Sequence, residues 1–190
     1  MKTRYIFTIL SPWLLWAQTP HAIDKTLELG GIAFHIQCDN NASLNRLTIT
    51  PNGLSEDNHP VTQEIDGVIT GNTMADLNRD GSPELYVFVT GAGSGSYGQL
   101  VAYSTNHNRS LSEITLPDLS EDKANSKGYM GHDTFTIDQD RLVRSFPIYR
   151  KDDPNCCPTG GTRHLGYRLK AGQNSWKLII DKSTAEKKPI

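Results

Sequence analysis

Three stretches of this chain carry residue types and spacings that could do chemistry. The first is residues 90–100, TGAGSGSYGQL. Gly93, Gly95 and Gly98 are spaced as in a dinucleotide fingerprint, which holds a pyrophosphate only when its last glycine opens a helix. Here Gly98 runs into QLVAYST, a strand sequence, so the nucleotide reading is rejected. A G-x-S-x-G nucleophile elbow is absent as well, since Ala92 and Ser96 flank Ser94 at the two glycine positions. What remains is a strand–loop–strand unit in which Ser94, Ser96 and one aromatic, Tyr97, sit among glycines. Glycine lets a backbone approach another surface closely, and a Tyr at a loop tip is a good interface anchor. The competing reading is a plain hairpin loop with Tyr97 folded back on the sheet.

The second stretch is residues 76–84, DLNRDGSPE. Asp76, Asn78 and Asp80 fall at positions 1, 3 and 5 of a calcium loop, Gly81 at position 6 and Glu84 at position 9. Position 12 is Val87, so the bidentate Glu of an EF-hand is missing. The bland alternative is an Asx-rich turn leading into a strand at Glu84. The spacing leaves too few carboxylates for a strong site. Calcium is therefore expected to add little to stability, and neither a metal nor a cofactor is expected. The third stretch, GYMGHD at 128–133, sets His132 beside Asp133 and raises acid–base chemistry. The six histidines are scattered and no H-E-x-x-H occurs, so a surface or structural role for His132 is the expectation.

Short alternating runs must position these residues. Residues 32–38 put Phe34, Ile36 and Cys38 on one side. Residues 84–90 put Leu85, Val87 and Val89 on one face and Tyr86 and Phe88 on the other. Residues 99–104, 133–137, 142–149, 162–169 and 175–180 have similar character, with Gly, Pro, Asn and Asp between them. This pattern predicts an all-β domain, an antiparallel β-sandwich or flattened barrel, with one short helix near 118–126. The β–helix rhythm of a parallel α/β fold is missing. Residues 181–190 are polar and read as a frayed tail.

The chain of 190 residues carries a formal charge of −2. That argues against a concentrated basic face for nucleic acid and against a polybasic membrane-surface protein. Its first residues, MKTRYIFTILSPWLLWAQTPHA, pair a charged start at Lys2 and Arg4 with an apolar run over 5–16. This is signal-peptide architecture and is too short to span a bilayer. Cleavage is expected after Ala22, leaving residues 23–190 as a single all-β domain in the periplasm. The mature chain then has 17 basic and 21 acidic residues, a net charge of −4. Such a surface suits a basic partner. Three cysteines remain, Cys38, Cys156 and Cys157. An oxidising compartment favours one disulfide. Adjacent cysteines rarely bond each other because the eight-membered ring is strained, so a bridge from Cys38 to one of the pair is expected.

Read together, DLNRDGSPELYVFVTGAGSGSYGQLVAYS, SLSEITLP, SKGYMGHD, LVRSFPIY and PTGGTRHLGYRL resemble the periplasmic inhibitors of invertebrate-type lysozyme. The resemblance covers about residues 76–169, and the combination of SGSYG, GYMGHD and PTGG is its specific part. It implies a secreted all-β inhibitor and no enzyme. It also implies a homodimer that protects a Gram-negative cell wall from a host lysozyme. The family's inhibitory Ser-x-x-Tyr falls on Ser94 and Tyr97, with Gly93, Gly95, Ser96 and Gly98 shaping the lysozyme-binding loop. Two competing functions come from other classes: an exported hydrolase using His132 and Asp133, and a calcium-binding envelope module built on Asp76 to Glu84.

Overall fold

The computed structural model describes residues 22–172 and 175–186. Residues 1–21 of the expected signal peptide and residues 187–190 of the tail lie outside that range. Four strands, β1 (Ile23–Leu29), β2 (Ile32–Cys38), β3 (Leu44–Asn52) and β4 (Val61–Asp66), form an antiparallel meander. Eight more form a second sheet: β5 (Val68–Ala75), β6 (Glu84–Thr90), β7 (Gly98–Ser104), β8 (Ser112–Thr115), β9 (Thr134–Asp138), β10 (Arg141–Pro147), β11 (Thr162–Ala171) and β12 (Trp176–Glu186). Their spatial order is β5-β6-β7-β8-β12-β11-β10-β9. Every pair is antiparallel except β8 with β12, which run parallel through Trp176 opposite Ile114 and Lys177 opposite Thr115. The parallel pair arises because the chain leaves β8, builds β9 to β11, and returns as β12 to fill the gap beside it.

Strand β6 explains the architecture. Its sequence is apolar on both faces, as befits a strand covered on both sides. Leu85, Val87 and Val89 join Phe34, Ile36, Leu47 and Ile49 of the meander in one buried core. Tyr86 and Phe88 face the other way, into a second core with Leu142, Phe146, Leu165, Tyr167 and Leu178. The eight-stranded sheet curls around this second core. Phe88 of β6 stacks on Phe135 of β9, with ring centroids 5.6 Å apart, so the far edge bends back nearly to closure. The first half of the molecule is thus a sandwich and the second a flattened barrel, with β6 shared between them.

Three local expectations need correction. The helix near 118–126 is a single 3-10 turn, Leu119–Glu121. Asp118 caps it by accepting from the Ser120 N–H at 2.8 Å. Asp122 then captures the N–H groups of Ala124 and Asn125, and this local competition ends the helix. The tail is ordered as strand through Glu186, which pairs with Thr162. Asp181 is held there by Arg141 and Arg168, so polar residues continue the ladder through ion pairs. The disulfide joins Cys156 to Cys157, and Cys38 is a buried free thiol. Cys38 ends β2 with its side chain in the meander core, whereas the vicinal pair lies in the exposed loop between β10 and β11. The two locations belong to different halves of the fold. Burial pushes the Cys38 thiol pKa up and keeps it an inert core residue. Among the described residues no helix is long and apolar enough to cross a membrane.

Candidate functional site

Residues 91–97 connect β6 to β7 and close on themselves. Gly91 N–H donates to the Tyr97 carbonyl at 2.9 Å, and Ser96 N–H to the Gly93 carbonyl at 2.9 Å. Ser94 is exposed at the tip, and Tyr97 keeps 49% of its surface open. Gly95 lies directly under the Tyr97 ring, and a Cβ there would collide with it. The ring of Tyr97 therefore leans over its own loop, with one edge free. It meets Tyr129 edge to face at 5.6 Å, and Tyr129 in turn meets Phe146 at 4.7 Å. The projecting and folded-back readings of Tyr97 thus combine: its foot is packed and its outer face is open.

A second segment fixes the loop from beneath. His132 N–H donates to the carbonyls of Gly95 at 2.8 Å and Ser96 at 3.2 Å. Gly131, with φ +88°, passes so close to the Gly95 carbonyl that no side chain fits. Asp133 then anchors the start of β7. Its Oδ2 accepts from the Gly98 N–H at 2.7 Å and from the Tyr129 hydroxyl at 2.7 Å. Its Oδ1 accepts from Arg144 Nε at 2.6 Å, and Arg144 Nη2 donates to the Tyr129 oxygen at 2.6 Å. Arg144 and Asp133 are only 4% and 7% exposed. Burial alone would lower the Arg144 pKa, but the Asp133 carboxylate outweighs it and holds the guanidinium charged. Burial and the bond to Asp133 push the Tyr129 phenol well above its ordinary range. The Arg144 guanidinium also lies over the rings of Tyr129 and Phe135, at 5.0 and 5.7 Å.

The third motif joins the same region. Gly160 N–H donates to the Ile148 carbonyl, Ile148 N–H to Gly161, and Tyr149 N–H to Gly128, each at 2.8 Å. SGSYG, GYMGHD and PTGG, far apart in sequence, therefore form one hydrogen-bonded end of the barrel. Beside it opens a cleft of about 690 Å³, with Tyr97, Gln99, Glu113, Tyr129 and Arg144 among its lining residues.

The expected loop residues Gly93, Ser94, Gly95, Ser96, Tyr97 and Gly98 thus come together. His132 and Asp133 do not form a pair: the carboxylate is turned into the Arg144 network, and His132 stacks toward Tyr149 with its Nε2 buried and unpartnered. Arg144 and Tyr129 went unread in the sequence. A signal for Arg144 exists, since it occupies an inward position between Leu142 and Phe146 on β10, where period-two alternation calls for an apolar residue.

Residues 76–84 lie at the other end of β6. Asp76 accepts from the N–H groups of Asp80 and Gly81 at 3.0 and 2.9 Å, and Asp80 from that of Ser82 at 2.8 Å. One oxygen each from Asp76, Asp80 and Glu84 lies within 4.8 Å of the others. Glu84 is fully buried. Its Oε2 accepts from Leu77 N–H at 2.8 Å and the Tyr86 hydroxyl at 3.3 Å. Burial, reinforced by Asp76 and Asp80, raises its pKa to about 8.

No known protein family matches the chain, and no curated protein does either.

Proposed function

We propose that this protein is an exported inhibitor of invertebrate-type lysozyme that acts in the periplasm by inserting residues 93–98 into the enzyme's cleft. The observation that carries the proposal is the convergence of SGSYG, GYMGHD and PTGG on one end of the barrel, with Ser94 and the outer face of Tyr97 exposed at its tip. These are the segments on which the resemblance rests. Neighbours support the loop through backbone bonds and the Asp133 anchor, so less conformational entropy is lost on binding.

A glycosidase cleft holds two carboxyl groups around the scissile bond. A narrow loop reaches them where a flat surface cannot. Ser94 donates its hydroxyl to a catalytic carboxylate, a bond strengthened by the acceptor's charge. Tyr97 lays its ring in a sugar subsite and donates its phenol proton. The loop has no glycosidic bond to cut, so it blocks without turnover. The net charge of −4 expected for the mature chain favours encounter with a basic enzyme.

The hydrolase reading gives acid–base work to His132 and Asp133. The bonds from Gly98, Tyr129 and Arg144 to the Asp133 carboxylate favour an anchoring role instead. The test is turbidity clearing of cell-wall suspensions by invertebrate-, chicken- and goose-type lysozymes, with and without the purified protein. Loss of clearing with the invertebrate type alone is expected. Undiminished clearing by all three would overturn the proposal, and clearing by the protein alone would favour the hydrolase.

A further inference from the structure

We propose that residues 76–84 bind a calcium ion through the side-chain oxygens of Asp76, Asp80 and Glu84. The spacing alone argued against this because position 12 lacks a carboxylate. What reverses the balance is Glu84, whose burial the spacing does not disclose. Its side chain is fully buried, its Oε2 is bonded to Leu77 and Tyr86, and its Oε1 has no partner. A buried carboxylate oxygen without a partner is costly, and an unexplained one points to something that completes it.

The surroundings name the chemistry of the missing partner. Asp76 and Asp80 bring two more carboxylates within 4.8 Å of Glu84. Among the described residues none of the three is in an ion pair with a basic side chain. Arg79, inside the loop, turns to Asp140 at 3.6 Å instead. The donor set is all oxygen, which selects a hard cation over zinc or copper. Calcium accepts irregular oxygen sets at about 2.3–2.6 Å, whereas magnesium demands a near-ideal octahedron at about 2.0–2.1 Å. The loop's own bonds already hold Asp76 and Asp80 in place. Without the bidentate twelfth ligand the site belongs to the weak class, with a Kd on the order of 10⁻⁴–10⁻³ M, which suits an exported protein. The site lies across β6 from the 93–98 loop and is independent of the inhibitor reading.

Terbium luminescence on the full mature chain provides the test, because Tyr86 donates to Glu84 and is placed to sensitise a lanthanide bound there. Excitation of tyrosine should produce terbium emission that calcium chloride displaces and that an equal concentration of magnesium chloride does not. Calcium should also raise the Tm over that in chelator. Asp80 is exposed, so Asp80→Asn should fold normally while weakening calcium binding by about tenfold or more. Glu84→Gln should abolish the emission. The proposal is overturned by absent sensitised emission together with equal Tm in calcium and chelator. It is also overturned by displacement with magnesium as effective as with calcium, or by an Asp80→Asn variant that binds calcium like the parent.

Discussion

Two loops bracket β6, one at each end, and they treat polar groups in opposite ways. Residues 91–97 carry no charge and turn Ser94 and Tyr97 outward; their supporting charges, Asp133 and Arg144, are buried below and paired with each other. Residues 76–83 carry their charges themselves, and the loop ends on a buried Glu84 with one oxygen unmatched. The strand between them spans about 20 Å at roughly 3.3 Å per residue. One loop has its electrostatics completed inside the fold, so its surface is free to meet another molecule. The other leaves a buried carboxylate oxygen unmatched, the feature on which the proposed calcium site rests.

This contrast breaks most visibly at Arg144. Arg144→Ala leaves Asp133 buried without its cation and should cost about 3–5 kcal/mol of stability, read from denaturant melts. Inhibition should fall with it, because Asp133, the common anchor of Gly98 and Tyr129, loses the cation that holds it. A stability loss below about 1 kcal/mol would mean that the network does not hold the loop.

Tyr97→Ala tests the outward face. Inhibition should weaken by about 2–4 kcal/mol in inhibition titrations. Loss of the half-exposed ring should leave the Tm close to that of the parent. An unchanged inhibition constant would remove Tyr97 from the lysozyme contact, and an early melt would make it structural. Ser94→Ala should cost less, on the order of 1.5–3 kcal/mol for one hydrogen bond to a charged group. A serine effect exceeding the tyrosine effect would reverse the assigned roles.

At the opposite loop the effect belongs to Glu84 and is a slope with pH. In chelator, the folded chain keeps Glu84 protonated up to about pH 8, held by burial and by the facing Asp76 and Asp80, with Tyr86 beside it. The unfolded chain ionises it near the ordinary 4.5. The folded state therefore binds the extra proton across that window. Its contribution is complete below the ordinary carboxyl value and is lost as pH rises toward 8, at about 1.4 kcal/mol per unit. Urea melts between pH 5 and 7.5 should show this decline, and Glu84→Gln should flatten it. A parent stability that rises over this range would contradict the buried neutral carboxyl.

Much of this was legible in the sequence where period-two alternation was clean. The bounds of β2 and β6, and the two-faced character of β6, follow from IAFHIQC and ELYVFVT alone. The loop residues were legible because glycine and a lone Tyr are conspicuous between strands. Arg144 was not read because its meaning depends on a carboxylate eleven residues upstream, on a neighbouring segment. Burial of Glu84 was hidden because a charged residue opening a strand ordinarily faces water. The cysteine pairing failed for a topological reason: Cys38 is committed to the meander core, while Cys156 and Cys157 sit in the β10–β11 loop of the other sheet and bond each other.

The parallel placement of β12 beside β8 also sets the timing of folding. The meander is made of neighbours in sequence, each strand turning directly onto the one before, so its loops close cheaply. The barrel's last seam joins Trp176 to Ile114, a pairing between segments far apart in sequence. High-separation pairings of this kind form slowly. A chain emerging amino end first can therefore assemble its sandwich half early, while the half bearing the Tyr129–Asp133–Arg144 network waits for Trp176–Glu186. A nascent or truncated chain lacking Trp176–Glu186 would expose the edges of β8 and β11, the unpaired strand edges that recruit other chains into aggregates.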